Sequence, residues 1–290
     1  MKLKGIYCPM ITPFKNDEID QEGLEKNIAF LEKEEVTGLV PLGSAGEFSG
    51  LSIKERKEVI KTVMDTTSLP VIAGATSMRM EEALEIIAYS ADMGAEAALV
   101  APPYYFRTSQ EGLFSYYSNL SSHSMLPIIL YNIPVFTGNP FLPPLVKRLS
   151  ELDNIIGIKD TSGDMKKFPE IVNLVPEDFS CIIGADHLLL PALVTGASGA
   201  ILGSSNLVPE LPVKIYRTWE SDIDRAAGLQ KLLMNIVRIM DTGTFPAGLK
   251  YAMNVLGLAG GDDVKAPLLN LTSEEKDIVD RLLKKMEAKK

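Results

Sequence analysis

Short apolar runs alternate with amphipathic stretches along most of the chain. Gly5–Ile11, Gly38–Leu42, Leu69–Ala73, Ala97–Ala101, Pro127–Leu130, Ile155–Ile158, Phe179–Ile183 and Gly199–Leu202 are each apolar with no two-residue alternation. Parallel strands covered on both faces read this way. Helical signals lie between them. Asp20-Gln21-Glu22 opens one, with Leu24, Ile28, Phe30 and Leu31 as its apolar positions. Ser52 caps a second that runs through Lys54 to Met64, and others cover Glu81 to Met93, start at Ser109-Gln110-Glu111, and span about Pro144 to Leu149. Eight strand-then-helix units predict an α/β fold, a (β/α)8 TIM barrel over residues 1–221. No G-x-G-x-x-G follows the first strand, which weakens an open dinucleotide-binding sheet. Residues 222–290 read as appended C-terminal helices. Leu229, Leu232, Leu233, Ile236, Ile239 and Met240 recur at helical spacing, Gly257–Gly261 interrupts them, and a last helix runs from about Ser273 to Ala288. These helices pack on the barrel or meet another copy; their pattern does not separate the two.

Composition narrows the partners. The 290 residues carry a net charge of −9, which argues against a nucleic-acid or anionic-membrane partner. No apolar run approaches the length of a membrane span, and Gly5, Pro9 and Pro13 break up the N-terminal stretch, so a cytoplasmic location is expected. Two cysteines, Cys8 and Cys181, lie in strand-like runs as buried thiols. Two distant histidines and the lack of H-E-x-x-H or C-x-x-C give a metal site little support.

In such barrels the chemistry sits at the C-terminal ends of the strands. The sixth run ends in Gly157-Ile158-Lys159-Asp160. A lysine where a buried strand runs out either snorkels into solvent or sits in a partly dry pocket, where desolvation favours the neutral, nucleophilic amine. The second strand ends in Gly43-Ser44-Ala45-Gly46-Glu47. This is either a plain tight turn or a cradle whose N–H groups converge on a carboxylate. Tyr104, Tyr105 and Tyr131 stand at two further strand ends, and Gly184 and Gly203 leave room for a small ligand. Tyrosines serve packing, or carry protons to and from a carbinolamine. Taken together, an amine, hydroxyls and a carboxylate-sized cradle fit Schiff-base chemistry on a 2-oxo acid.

The same motifs carry a resemblance. Pro9-Met10-Ile11-Thr12-Pro13-Phe14, Gly43-Ser44-Ala45-Gly46-Glu47, Pro103-Tyr104-Tyr105 with Arg107 and Ser109-Gln110-Glu111-Gly112-Leu113, Tyr131-Asn132-Ile133-Pro134 with Thr137-Gly138, and Gly157-Ile158-Lys159-Asp160 occur in this order. Over nearly its whole length the chain resembles the dihydrodipicolinate synthase / N-acetylneuraminate lyase superfamily of pyruvate-dependent class I aldolases. The resemblance implies that Lys159 forms the imine with pyruvate, with no other cofactor, and that Tyr131 shuttles protons. It implies that Ser44 links Tyr131 to Tyr105 of a neighbouring subunit, and that the N–H groups of Ser44 and Ala45 bind the pyruvate carboxylate. Gly184 and Ile201 would line the pocket. The assembly implied is a homotetramer, a dimer of dimers, acting on a small molecule.

Departures from the family pattern bear on the second substrate. Where the lysine-pathway synthase carries a carboxylate-gripping arginine, this chain has Phe136, with no charge and no donor. Archaeal-type 2-keto-3-deoxygluconate aldolases look similar there. Ala45 replaces a usual hydroxyl in the cradle, and Asp186 is the one acid near the glycine ending the seventh strand. Asp186 reads as a ligand for a sugar hydroxyl or as a helix cap, and Arg107 as a partner for a phosphate or for an interface acid. These departures predict a lyase of carbohydrate metabolism. It would cleave a 2-keto-3-deoxy sugar acid, 2-keto-3-deoxygluconate or its 6-phosphate, to pyruvate and an aldehyde. The alternatives are a dihydrodipicolinate synthase, which condenses pyruvate with aspartate semialdehyde, and a non-catalytic 2-oxo acid binding protein.

Overall fold

A computed structural model describes residues 2–258 and 262–287. Part of the Gly257–Gly261 interruption, and Ala288 at the end of the last expected helix, lie outside the described residues. Eight parallel strands form the central sheet: β1 (Gly5–Cys8), β2 (Gly38–Leu39), β3 (Ile72–Gly74), β4 (Ala97–Val100), β5 (Ile128–Asn132), β6 (Ile155–Asp160), β7 (Ser180–Ile183) and β8 (Gly199–Ile201). Their order is β2-β1-β8-β7-β6-β5-β4-β3, and a bridge between Leu39 and Val71 closes the circle. The fold is a (β/α)8 barrel.

The strands are shorter than the apolar runs for a physical reason. Pro9 and Pro41 have no N–H to give the ladder, so the strands end before Met10, Ile11 and Leu42, which stay buried. At β5 the opposite holds. Tyr131 and Asn132 extend the strand past Leu130, paired with Lys159 and Asp160 of β6. An antiparallel ribbon, Phe14–Lys15 with Glu18–Ile19, turns through Asn16 and Asp17 at positive φ and has no counterpart in the pattern reading.

Helices open where their caps stand. The Asp20 side chain accepts from Gly23 N at the start of α1 (Gln21–Lys33). Ser52 and Glu55 form a reciprocal box on α2 (Ile53–Thr66), followed by α3 (Met80–Asp92). Ser109 accepts from Gly112 N on α4 (Gln110–His123). A four-residue turn of helix, α5 (Pro134–Thr137), is followed by α6 (Pro143–Leu149), α7 (Lys167–Leu174), α8 (Leu189–Val194) and α9 (Glu210–Thr218). The C-terminal helices are α10 (Ile223–Met240), α11 (Ala247–Val255) and α12 (Ser273–Glu287).

Side chains separate into two cores. Val40, Ile72, Ala97, Leu99, Ile129, Tyr131, Ile182 and Ile201 fill the barrel interior, while Ile128, Leu130, Ile158, Cys181 and Ile183 face the helical layer. Successive strand residues point to opposite faces, so these two sets fix which way each residue at the mouth points.

Candidate active site

Lys159 pairs in register with Tyr131 of β5 and with Ile182 of β7. Both neighbours belong to the interior set, so alternation turns Lys159 inward as well. Only 4% of it is exposed. Its Nζ lies 4.2 Å from the centroid of the Tyr131 ring, and among the described residues no carboxylate comes within ion-pair distance of it. The Tyr131 hydroxyl is 3.3 Å from Ser44 Oγ. Ser44 and Ala45 follow β2 in a loop closed by Gly46 N to Gly43 O and Glu47 N to Ser44 O, with Thr12 Oγ1 donating to Gly46 O. Among the described residues the N–H groups of Ser44 and Ala45 have no partner within the protein. A lysine, a phenol, a hydroxyl and two free N–H groups thus meet at one end of the barrel.

Outside this cluster lies a cavity of about 670 Å³, lined by Ser44, Thr76, Tyr104, Tyr131, Phe136 and Thr137 from the barrel loops. Gly243 to Phe245 and Lys265 to Leu268 form its other wall. No local sequence signal marked these C-terminal residues, because their place in the wall comes from how α10 and α11 pack. Lys265 is the one cation in the lining, and its Nζ is engaged by Asp17 and Glu55. Thr76 was also missed; its Oγ1 accepts from Ala101 N.

Several expected site residues fall outside the cavity lining. Asp186 is not in the cavity lining and does not cap the helix that follows it. Its carboxylate accepts from Ser204 N at 2.9 Å, tying the end of β7 to the end of β8. Burial pushes its carboxyl above the usual range, against the Ser204 hydrogen bonds and the Lys159 charge. Gly184 stands directly against the nucleophile. A Cβ there would lie 2.1 Å from Thr161 Oγ1 and 2.7 Å from Lys159 Cε. Ile201 is part of the interior core, in register with Tyr7. Arg107 is exposed and runs past Gly138 outside the cavity lining.

Tyr105 does not reach Ser44 within one chain. It is 84% exposed, at φ +81°, and stacks edge-on with the exposed Phe106. Asn139 holds this loop, donating to Pro103 O and Phe106 O and accepting from Thr108 N. Asn132 and Asp160 brace the two central strands. Asn132 Nδ2 donates to Asp160 at 2.7 Å, and Asp160 also accepts from Ser162 N and Oγ. Among the described residues no three His, Cys, Asp or Glu side chains gather as a metal site requires.

An inward, buried lysine beside a phenol at the mouth of a parallel eight-stranded barrel is the arrangement that an imine-forming carbon–carbon lyase uses. Within that class, the chain belongs to the dihydrodipicolinate synthetase family, whose model matches residues 2–286, and it is a pyruvate-dependent enzyme of the aldolase and lyase type. It is 39% identical, over 98% of its own length and 98% of the relative's, to the 4-hydroxy-tetrahydrodipicolinate synthase of Archaeoglobus fulgidus. It matches the structure of the synthase of that name from Methylacidiphilum fumariolicum with a TM-score of 0.95 at 32% identity, covering 99% and 97% of the two chains. It matches a 2-keto-3-deoxygluconate aldolase from Picrophilus torridus with a TM-score of 0.87 at 34% identity, covering 93% and 98%.

The expectation of a sugar-acid lyase is overturned by these relatives. Further full-length relatives at 36–38% identity also bear the name 4-hydroxy-tetrahydrodipicolinate synthase. That expectation gave one uncharged position, Phe136, the power to decide the acceptor. Phe136 does line the cavity, yet one side chain among many in a wide pocket does not set the substrate by itself. Among the described residues no helix is long and apolar enough to cross a membrane.

Proposed function

We propose that this protein is a 4-hydroxy-tetrahydrodipicolinate synthase, condensing pyruvate with aspartate semialdehyde through an imine on Lys159. The observation that carries the chemistry is the in-register pair of Lys159 and Tyr131 beside the partnerless N–H groups of Ser44 and Ala45. The shared name of the full-length relatives supports the choice of acceptor.

In this reading the two N–H groups hold the pyruvate carboxylate and place C2 against the lysine amine. Lys159 Nζ attacks C2. Tyr131 delivers the proton with which the carbinolamine hydroxyl leaves as water. The protonated imine draws electrons from C3, which passes a proton to the Tyr131 phenolate left by that step and becomes the carbon nucleophile. The new C–C bond forms as C3 attacks the aldehyde carbon, and the re-protonated Tyr131 gives its proton to the resulting oxyanion; water then adds across the imine, returns a proton to Tyr131 and frees the Lys159 amine. The imine is the electron sink, so the reaction asks for no organic cofactor. Ser44 relays protons from Tyr131 towards Tyr105 of a second copy, and the working assembly is a cytoplasmic homotetramer, a dimer of dimers. Phe136 offers the acceptor's carboxylate nothing, so hydroxyls of the cavity wall take that part.

Two measurements test the proposal. Incubation with pyruvate, reduction with borohydride and peptide mapping should place the adduct on Lys159. An adduct elsewhere, or none, removes the imine mechanism. Condensation of pyruvate with aspartate semialdehyde should then proceed with normal turnover; an enzyme that forms the adduct but does not condense that aldehyde has another acceptor.

A further inference from the structure

One buried ion pair belongs to neither the nucleophile nor the proton relay. Lys250 of α11 is fully buried, and its Nζ donates to Glu47 Oε1 at 2.6 Å and to Asp263 O at 2.6 Å. The other oxygen of Glu47 accepts from Lys265 N at 2.7 Å. The Lys250 ammonium also sits 4.2 Å from the centroid of the Phe14 ring. One carboxylate therefore joins three segments distant in sequence: the Gly43–Glu47 loop, α11, and the stretch from Asp263 to Lys265. The first carries the free N–H groups of Ser44 and Ala45, and the last continues into the opposite wall of the cavity.

The loop needs such an anchor. Leu42 and Glu47, at its two ends, both sit in the left-handed region, at φ +60° and +53°. Neither is glycine, so the conformation is held by what surrounds it. Buried charges are costly unless paired and fully hydrogen-bonded. A neutral anchor would suffice for packing alone.

We propose that Glu47 is a positioning residue for substrate binding, locked by Lys250. It fixes the loop so that the N–H groups of Ser44 and Ala45 face one point, and it ties that loop to the C-terminal wall. The inference rests on the reading that these N–H groups bind the pyruvate carboxylate.

The test is borohydride trapping on the full-length protein over a range of pyruvate concentrations, alongside steady-state kinetics and thermal melts. For Glu47→Gln, half-saturation of the Lys159 adduct and KM for pyruvate should rise at least tenfold, with kcat within threefold of the parent protein. The adduct should still reach completion at high pyruvate. Unchanged half-saturation with a lower melting temperature makes Glu47 a fold anchor only and overturns the inference. Should Glu47→Gln fail to fold, the double variant Glu47→Gln with Lys250→Met, uncharged at both positions, is measured instead. It has lost the Lys250 link to Glu47 and Asp263, so the same rise is expected, and parental half-saturation again overturns the inference. If the parent protein itself forms no adduct at Lys159, it is the proposed function that fails.

Discussion

Removing a single oxygen from Tyr131 separates chemistry from fold at the candidate site. The ring packs in the barrel interior, and among the described residues Ser44 is the hydrogen-bond partner of its hydroxyl. Tyr131→Phe should therefore keep the melting temperature within a few degrees while kcat falls roughly 10²–10⁴-fold, the range typical of a lost general acid–base. A kcat within threefold of the parent would take Tyr131 out of the mechanism. Asp186 answers to a different experiment. Its folded pKa is raised by burial, so the stability it contributes is present below the unfolded carboxyl pKa and is lost as pH rises through the folded value. Asn at this position can still accept from Ser204 N but carries no charge. The melting temperature of Asp186→Asn, relative to the parent, should rise as the pH is raised from the usual carboxylate range towards neutrality. A difference that is flat or falls over that range would show that burial is not what governs this carboxyl.

Elements explain both what the sequence disclosed and what it hid. The eight strands were legible because each is an uninterrupted apolar run, and the helix starts because Asp20, Ser52 and Ser109 are caps whose chemistry is local. Lys159, Tyr131 and Ser44 were legible because strand ends bearing polar groups point to the barrel mouth. Three things were not, and each depends on tertiary geometry. The direction of the Asp186 carboxylate follows from the register of β7 against β8. The C-terminal wall follows from the packing of α10 and α11. The role of Gly184 depends on what stands opposite it. A glycine after a strand reads as space for a ligand, but here the lysine stem and the Thr161 hydroxyl fill that space. Gly184→Ala puts a methyl 2.7 Å from Lys159 Cε. Displacing a reacting group by about 1 Å costs on the order of 10²-fold. Adduct formation at Lys159 should slow by about that factor, and a rate equal to the parent's would show that the lysine reaches its substrate by another path.

At the scale of the whole molecule, the proposed relay requires the loop bearing Tyr105 to meet a second copy. An aromatic residue at φ +81° carries strain of about 1–3 kcal/mol. Within one chain Tyr105 and Phe106 gain little burial from it, at 84% and 75% exposure. Val135 and Phe136 are exposed as well. A symmetric pair of such loops would bury these aromatics and carry each Tyr105 towards the other chain's Ser44. Subunit mixing decides the matter. Lys159→Ala and Tyr105→Phe homo-oligomers should each be crippled, the first without a nucleophile and the second without the far end of the relay. Dissociated, mixed in equal amounts and reassembled, they form mixed pairs in which the Tyr105→Phe chain supplies Lys159 and its partner supplies Tyr105. Random pairing makes half of the dimers mixed, each with one intact site, so activity should return to roughly a quarter of the parent's. A mixture no more active than the sum of its parts would mean that Tyr105 serves the site of its own chain or none, and the relay would then end at Ser44.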